Sequence, residues 1–150
     1  YTDSLTNVLG GQWSAVPYGG PAVNPTFTGS AYQGTASLQI SSLAGFSGML
    51  LVHPQRFPTP PDGVLEFAIR SGTATLLNNL AVAFGGFDGA GSSTNSRTVL
   101  LPTITSSWQV LRIPLSPALA PAQLKDIRFM NNSGTAITSV LLDAIAFRQP

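Results

Sequence analysis

Cysteine is absent from the 150 residues, histidine, lysine and glutamate occur once each, and charged residues make up 9% of the chain. Without cysteine there is no disulfide framework and no cysteine-based zinc site. The compartment stays open on that ground. A lone histidine, His53, cannot supply a histidine cluster for a catalytic metal. Seven Lys and Arg stand against six Asp and Glu, a net charge of +1, and they form no basic stripe. Nucleic acid is therefore a poor partner. No apolar run approaches the roughly 18 residues of a membrane span; the longest are pieces such as Met49–Val52 and Val140–Leu142. Disorder is excluded by 43% hydrophobic residues combined with so small a net charge.

The shortage of acids also speaks against catalysis. A glycosidase needs paired carboxylates, about 5–5.5 or 6.5–9.5 Å apart. Asp62, Asp88 and Asp126 read as turn residues and Glu66 as outward on a strand, so no pair shares a face. No Gly-x-Ser-x-Gly elbow surrounds a serine; Gly45-Phe46-Ser47-Gly48 is one residue short. The expectation is a protein that is not an enzyme.

What is present is length enough for one domain, able to bury roughly 70% of the surface its unfolded chain exposes. Average domains carry about 25% charged residues; here Ser, Thr, Asn, Gln and Gly replace them. That reads as a secreted surface, with compositional drift as the competing reading. Tyr1 starts almost inside a strand, as in a mature or excised module.

No helical pattern convinces; Pro117 to Asp126 is short and contains Pro121. Short alternating runs broken every 8–14 residues by turn residues predict an all-β sandwich or barrel. Strands are expected near 1–6, 12–18, 24–30, 35–41, 47–54, 63–71, 79–87, 96–102, 107–114, 124–132 and 139–148. Glycine and proline clusters such as Gly19-Gly20-Pro21 and Pro58 to Gly63 separate them. An eight-stranded jelly roll deals consecutive strands to alternate sheets. It puts 35–41, 63–71, 107–114 and 139–148 in one sheet of an antiparallel two-sheet sandwich, and 47–54, 79–87, 96–102 and 124–132 in the other.

Alternation then assigns faces. Leu65, Phe67, Ile69, Leu80, Val82, Phe84, Leu111, Ile113, Ile127 and Phe129 point inward. With Leu50 and Val52 also inward, the second sheet shows Leu51, His53, Gln55, Met130, Asn132, Ala81, Ala83 and Gly85 outside. That face is flat and too apolar for simple solvation, so a ligand is expected on it. Arg56 and Arg70 read as surface partners of Asp62 and Glu66.

Three segments carry a resemblance: Tyr1-Thr2-Asp3-Ser4-Leu5 followed by Trp13-Ser14; Trp108-Gln109-Val110-Leu111-Arg112-Ile113-Pro114-Leu115; and Ile127-Arg128-Phe129-Met130-Asn131-Asn132-Ser133-Gly134 followed by Leu142-Asp143-Ala144-Ile145-Ala146-Phe147. In this order the chain resembles the β-jelly-roll carbohydrate-binding modules of bacterial plant-cell-wall hydrolases, in particular the family 81 modules attached to endoglucanases. The resemblance implies binding of β-linked glucans such as cello-oligosaccharides, mixed-linkage β-glucan, xyloglucan or cellulose. It implies a secreted bacterial monomer that docks a covalently linked endoglucanase onto plant cell-wall polysaccharide. No cofactor is required; a structural calcium tying first and last strands would use Asp3 and Asp143. A jelly-roll adhesin or other structural subunit, and a module for xylan or mannan, are the alternatives.

A glucan offers flat faces of C–H groups and a rim of hydroxyls, so it calls for exposed aromatic rings and in-plane hydrogen-bonding groups. Trp13, in the polar Gly10-Gly11-Gln12-Trp13-Ser14 stretch, is the expected stacking residue, with Tyr18 and Tyr32 extending the same platform. His53 and Gln55 are expected to bond the sugar rim, supported by Arg128 and Asn132. Trp108 reads as edge packing.

Overall fold

The computed structural model describes residues 13–60, 62–95 and 97–148. The strands are β1 (Ser14–Tyr18), β2 (Ala22–Phe27), β3 (Ser37–Leu43), β4 (Gly48–Pro58), β5 (Val64–Ser71), β6 (Leu80–Phe87), β7 (Ser93–Asn95), β8 (Val99–Leu100), β9 (Gln109–Pro114), β10 (Gln123–Asn131) and β11 (Ile137–Arg148). Sheet one runs β1-β4-β10-β6-β7, with β8 also on β6; sheet two runs β2-β3-β11-β5-β9. All pairings are antiparallel. The two-sheet β-sandwich and its dealing of alternate strands to alternate sheets are as expected. The expected strand 1–6 lies outside the described residues.

The core lies where the inward rows meet. Leu51, Ile127 and Phe84 stand in register across sheet one, and Leu38, Leu142 and Ile69 across sheet two; all are buried. Phe67 of sheet two meets Phe129 of sheet one edge-to-face, centroids 5.1 Å apart at 85°. This geometry aligns ring edge with ring face and interlocks the layers.

The inward and outward rows of β4 are exchanged relative to expectation. Met49 and Leu51 are wholly buried, whereas Leu50 and Val52 face out and are half-buried. Met49-Leu50-Leu51-Val52 is apolar throughout, so it has no period-2 signal of its own. The partners settle it: Met49 stands opposite Phe129 and Leu51 opposite Ile127.

Several register shifts interrupt the ladders, and two of these bulges bear on the site. On β4, residues 53–56 lie between Val52, paired with Asp126, and Phe57, paired with Leu124. On β11, the register slips between Asp143 and Ala146, and Ala144 takes a positive φ of 48°. An extra residue of this kind re-aims its neighbours.

Candidate functional site

The outer face of sheet one carries three rows of side chains. One runs Tyr18, Gly48, Met130, Ala81, Leu100; the next Val16, Leu50, Arg128, Ala83; the third Ser14, Val52, Asp126, Gly85. The β6 positions are small, while Val16 at one margin and Leu100 at the other are exposed. Small side chains between larger ones leave a low strip, or trough, that crosses the strands over roughly 19 Å at the usual spacing between neighbouring strands. Its walls are apolar, and its floor holds one charged pair.

That pair is Arg128 and Asp126, Nε to Oδ1 at 2.7 Å, two residues apart and therefore on one face of β10. The side chains keep 31% and 13% of their exposure, so the guanidinium is presented to the trough and the carboxylate lies beneath it. Gly85 makes room for the carboxylate: a Cβ there would overlap Asp126 Oδ2. Tyr18 reaches across Gly48, where a Cβ would come within 2.9 Å of the phenol oxygen. Burial pushes the Tyr18 phenol above its ordinary value of 10.0, with Arg128 pulling the other way. The hydroxyl is therefore protonated and able to donate near neutrality.

Arg128 thus lies on the face expected of it, beside Tyr18. Asn132, one step beyond β10, is exposed, with its N–H given to Asn79 O at 2.7 Å. Three other expectations are corrected. Trp13 is 3% exposed, packed against His53 at 5.2 Å and edge-on to Phe57 at 5.6 Å. Its polar sequence neighbours concealed a ring that closes one end of the core, so it cannot stack on a ligand. His53 and Gln55 do not line the trough, because the β4 bulge withdraws them. His53 Nδ1 is occupied at 2.7 Å by Gln55 O and at 3.1 Å by Gln55 N, and its ring lies against Trp13. Tyr32 is 44% exposed but lies in the connection between β2 and β3 of the opposite sheet, so it does not share a platform with Tyr18.

Asp143 is wholly buried and outward on sheet two, beneath the connection 28–36. Its Oδ2 accepts the N–H groups of Tyr32 (2.7 Å) and Gln33 (3.1 Å), and its Oδ1 that of Ala144 (2.6 Å). Calcium takes six to eight oxygens. Among the described residues no group of three His, Cys, Asp or Glu assembles, and Asp3 lies outside them. Asp143 as described directs its oxygens at backbone N–H groups and acts as a loop anchor. The surface pairs also differ from expectation. Glu66 bonds Arg112 (2.7 Å) and Arg148 (3.2 Å), which flank it across the sheet, whereas Arg70 lies four residues along the same strand. Arg56 lies over the Phe87 ring, 3.4 Å from its centroid.

Sequence reading missed Asp126, taken as a turn residue. The signal was available: with Ile127 and Phe129 inward, Asp126, Arg128 and Met130 must share the outer face. A cleft of about 710 Å³ also opens at the rim between Thr59, Asp62, Asp88, Arg97 and Pro121. Asp88 there holds its own turn, accepting the N–H groups of Ala90 and Ser92.

No protein-family model matches the chain. No curated protein matches it in sequence. Solved structures do match in fold. The family 22 xylan-binding domain of Paenibacillus barcinonensis Xyn10C superposes with a TM-score of 0.62 at 20% identity, over 97% of this chain and 90% of that one. The family 11 carbohydrate-binding module from Clostridium thermocellum, in complex with a β-1,3-1,4-mixed-linked tetrasaccharide, gives 0.63 at 16% identity over 89% and 86%. The C-terminal family 22 module of Clostridium thermocellum Xyn10B gives 0.61 at 16% identity over 99% and 91%. The chain shares the β-sandwich fold of carbohydrate-binding modules.

Proposed function

We propose that this chain is a non-catalytic module that binds a β-linked glucan chain in the trough on the outside of sheet one. The observation that carries the reading is the trough itself: small residues along β6 between apolar margins, with a charged pair fixed in its floor. Tyr18 offers ring area to sugar C–H faces, and Arg128, held by Asp126, offers N–H donors to hydroxyls. Of the structures similar in fold, one is described as xylan-binding and one is in complex with a mixed-linked tetrasaccharide, which supports the ligand class. In this reading the protein is secreted, monomeric and linked to an endoglucanase that it holds on plant cell walls. A xylan chain is the second reading, favoured by the likeness to the xylan-binding domain.

Affinity electrophoresis over mixed-linkage β-glucan, xyloglucan, xylan and mannan tests this, beside a reducing-sugar assay on the same polymers. Retardation on a β-glucan without release of reducing ends is expected, and Tyr18→Ala is expected to weaken it about tenfold, a loss of about 1.4 kcal/mol. Retardation on xylan alone moves the assignment to the second reading. Failure to bind any polymer, or release of sugar, overturns both.

A further inference from the structure

We infer a second sugar-contact surface on the outside of sheet two, built from Tyr32, Trp108 and Arg70 and held in shape by Asp143; it rests on the glucan-binding reading above. Tyr32 and Trp108 lie with centroids 5.9 Å apart at 59°, and the Arg70 guanidinium is 5.9 Å from the Trp108 ring. Trp108 precedes β9, at the same alternation as Val110, which is exposed on the outer face of that edge strand. Two such steps span roughly 7 Å, so the rings and Val110 form a continuous apolar strip beside a guanidinium.

The support beneath Tyr32 is what sets this strip apart from a chance surface pair. A wholly buried carboxylate is expensive unless every oxygen finds a donor. Among the described residues Asp143 has no ion-pair partner, and its donors are three backbone N–H groups. Two belong to the loop residues Tyr32 and Gln33. Arg70 holds the same loop two residues earlier, Nη1 to Ser30 Oγ at 3.2 Å, while its Nε bonds Ser71 O at 3.1 Å. Packing of the sandwich needs none of this, because an apolar side chain at 143 would bury at lower cost. What the carboxylate adds is a fixed position for one exposed ring. A ring ordered before binding loses no conformational freedom when it binds.

The occupant is a second strand of the same polymer. An exposed tyrosine ring beside a half-buried indole, flanked by a guanidinium, matches pyranose faces and hydroxyls. Sheet one's trough faces the other way, so a strand lying there cannot reach Tyr32. Asp143 and Arg70 act here as positioning residues for the loop.

The chain has two tryptophans, and Trp13 is buried at the far end of the core, so the two indole N–H resonances report separately. In ¹⁵N-labelled protein titrated with cellohexaose and with mixed-linkage tetrasaccharide, the Trp108 signal is expected to shift to saturation. It should do so also in Tyr18→Ala, and Tyr32→Ala, a change at an exposed position, should weaken that shift about tenfold with an unchanged unfolding midpoint. A Trp108 signal that stays still while β6 and β10 amides move overturns the second surface and leaves the trough standing. A Trp108 shift abolished by Tyr18→Ala overturns it likewise. If no resonance moves with either sugar, the glucan-binding reading fails, and the second surface with it.

Discussion

Gly85 and Asp126 illustrate how a single hydrogen atom in place of a methyl group sets the chemistry of the trough. The carboxylate occupies the space a Cβ would take, and from there it fixes Arg128. Gly85→Ala displaces the end of a flexible side chain and leaves the backbone where it is. We expect unchanged secondary structure and an unfolding midpoint within the range of ordinary surface changes, with glucan affinity reduced several-fold as Arg128 loses its anchor. Calorimetric titration beside circular dichroism checks this; unaltered affinity would show that the pair is not part of the binding surface. Trp13 gives the converse lesson. Its neighbours Gln12 and Ser14 are polar, and nothing local reveals a ring buried by His53 and Phe57, which arrive from the bulged end of β4.

At the scale of elements, the two bulges do opposite things. On β4 the extra residues remove His53 and Gln55 from the outer face of sheet one. On β11 the slip after Asp143 gives Ala144 its positive φ and lets the carboxylate accept the Ala144 N–H while its other oxygen pins the 28–36 connection. Asp143→Asn keeps the shape but turns one acceptor into a donor facing N–H groups. Hydrogen exchange is expected to show the Tyr32 and Gln33 amides losing protection well before those of β5 and β11. Equal protection in the variant would mean that packing alone holds the loop. Neither bulge is written in the sequence, because each depends on how two strands far apart in the chain fall into register.

Across the whole molecule, two surfaces point in opposite directions from one core. If both proposed surfaces bind, a module so built would bridge neighbouring polymer strands instead of gripping one. Outside both surfaces, Glu66 ties β5 to β9 and β11 through Arg112 and Arg148, and the Arg112 hydrogen bond, ahead of that from Arg148, holds its carboxyl below its ordinary 4.5. A depressed carboxylate contributes stability above the unfolded value and loses it as pH falls through the folded one. Glu66→Gln should therefore cost a little stability near neutrality, and the difference from wild type should shrink below about pH 4.5. Both arginines are largely exposed, so the effect is small and weakens in high salt. Urea unfolding at pH 7 and pH 3, with and without added salt, measures it; a gap that widens in acid would contradict the assignment.

The sequence alone determined the class of fold, the order of most strands and their division between two sheets. Those follow from alternation and from where glycine and proline break the chain, which are local properties. It also carried the outward placement of Arg128, since Ile127 and Phe129 mark the inward side. Only the tertiary structure decided the face of β4, the burial of Trp13, the withdrawal of His53 and Gln55, and the separation of Tyr18 from Tyr32. An all-apolar run has no period to read, a ring at a strand end can turn either way, and two tyrosines fourteen residues apart share a face or not according to which sheet each segment joins. Contacts between segments remote in the chain settle each of these.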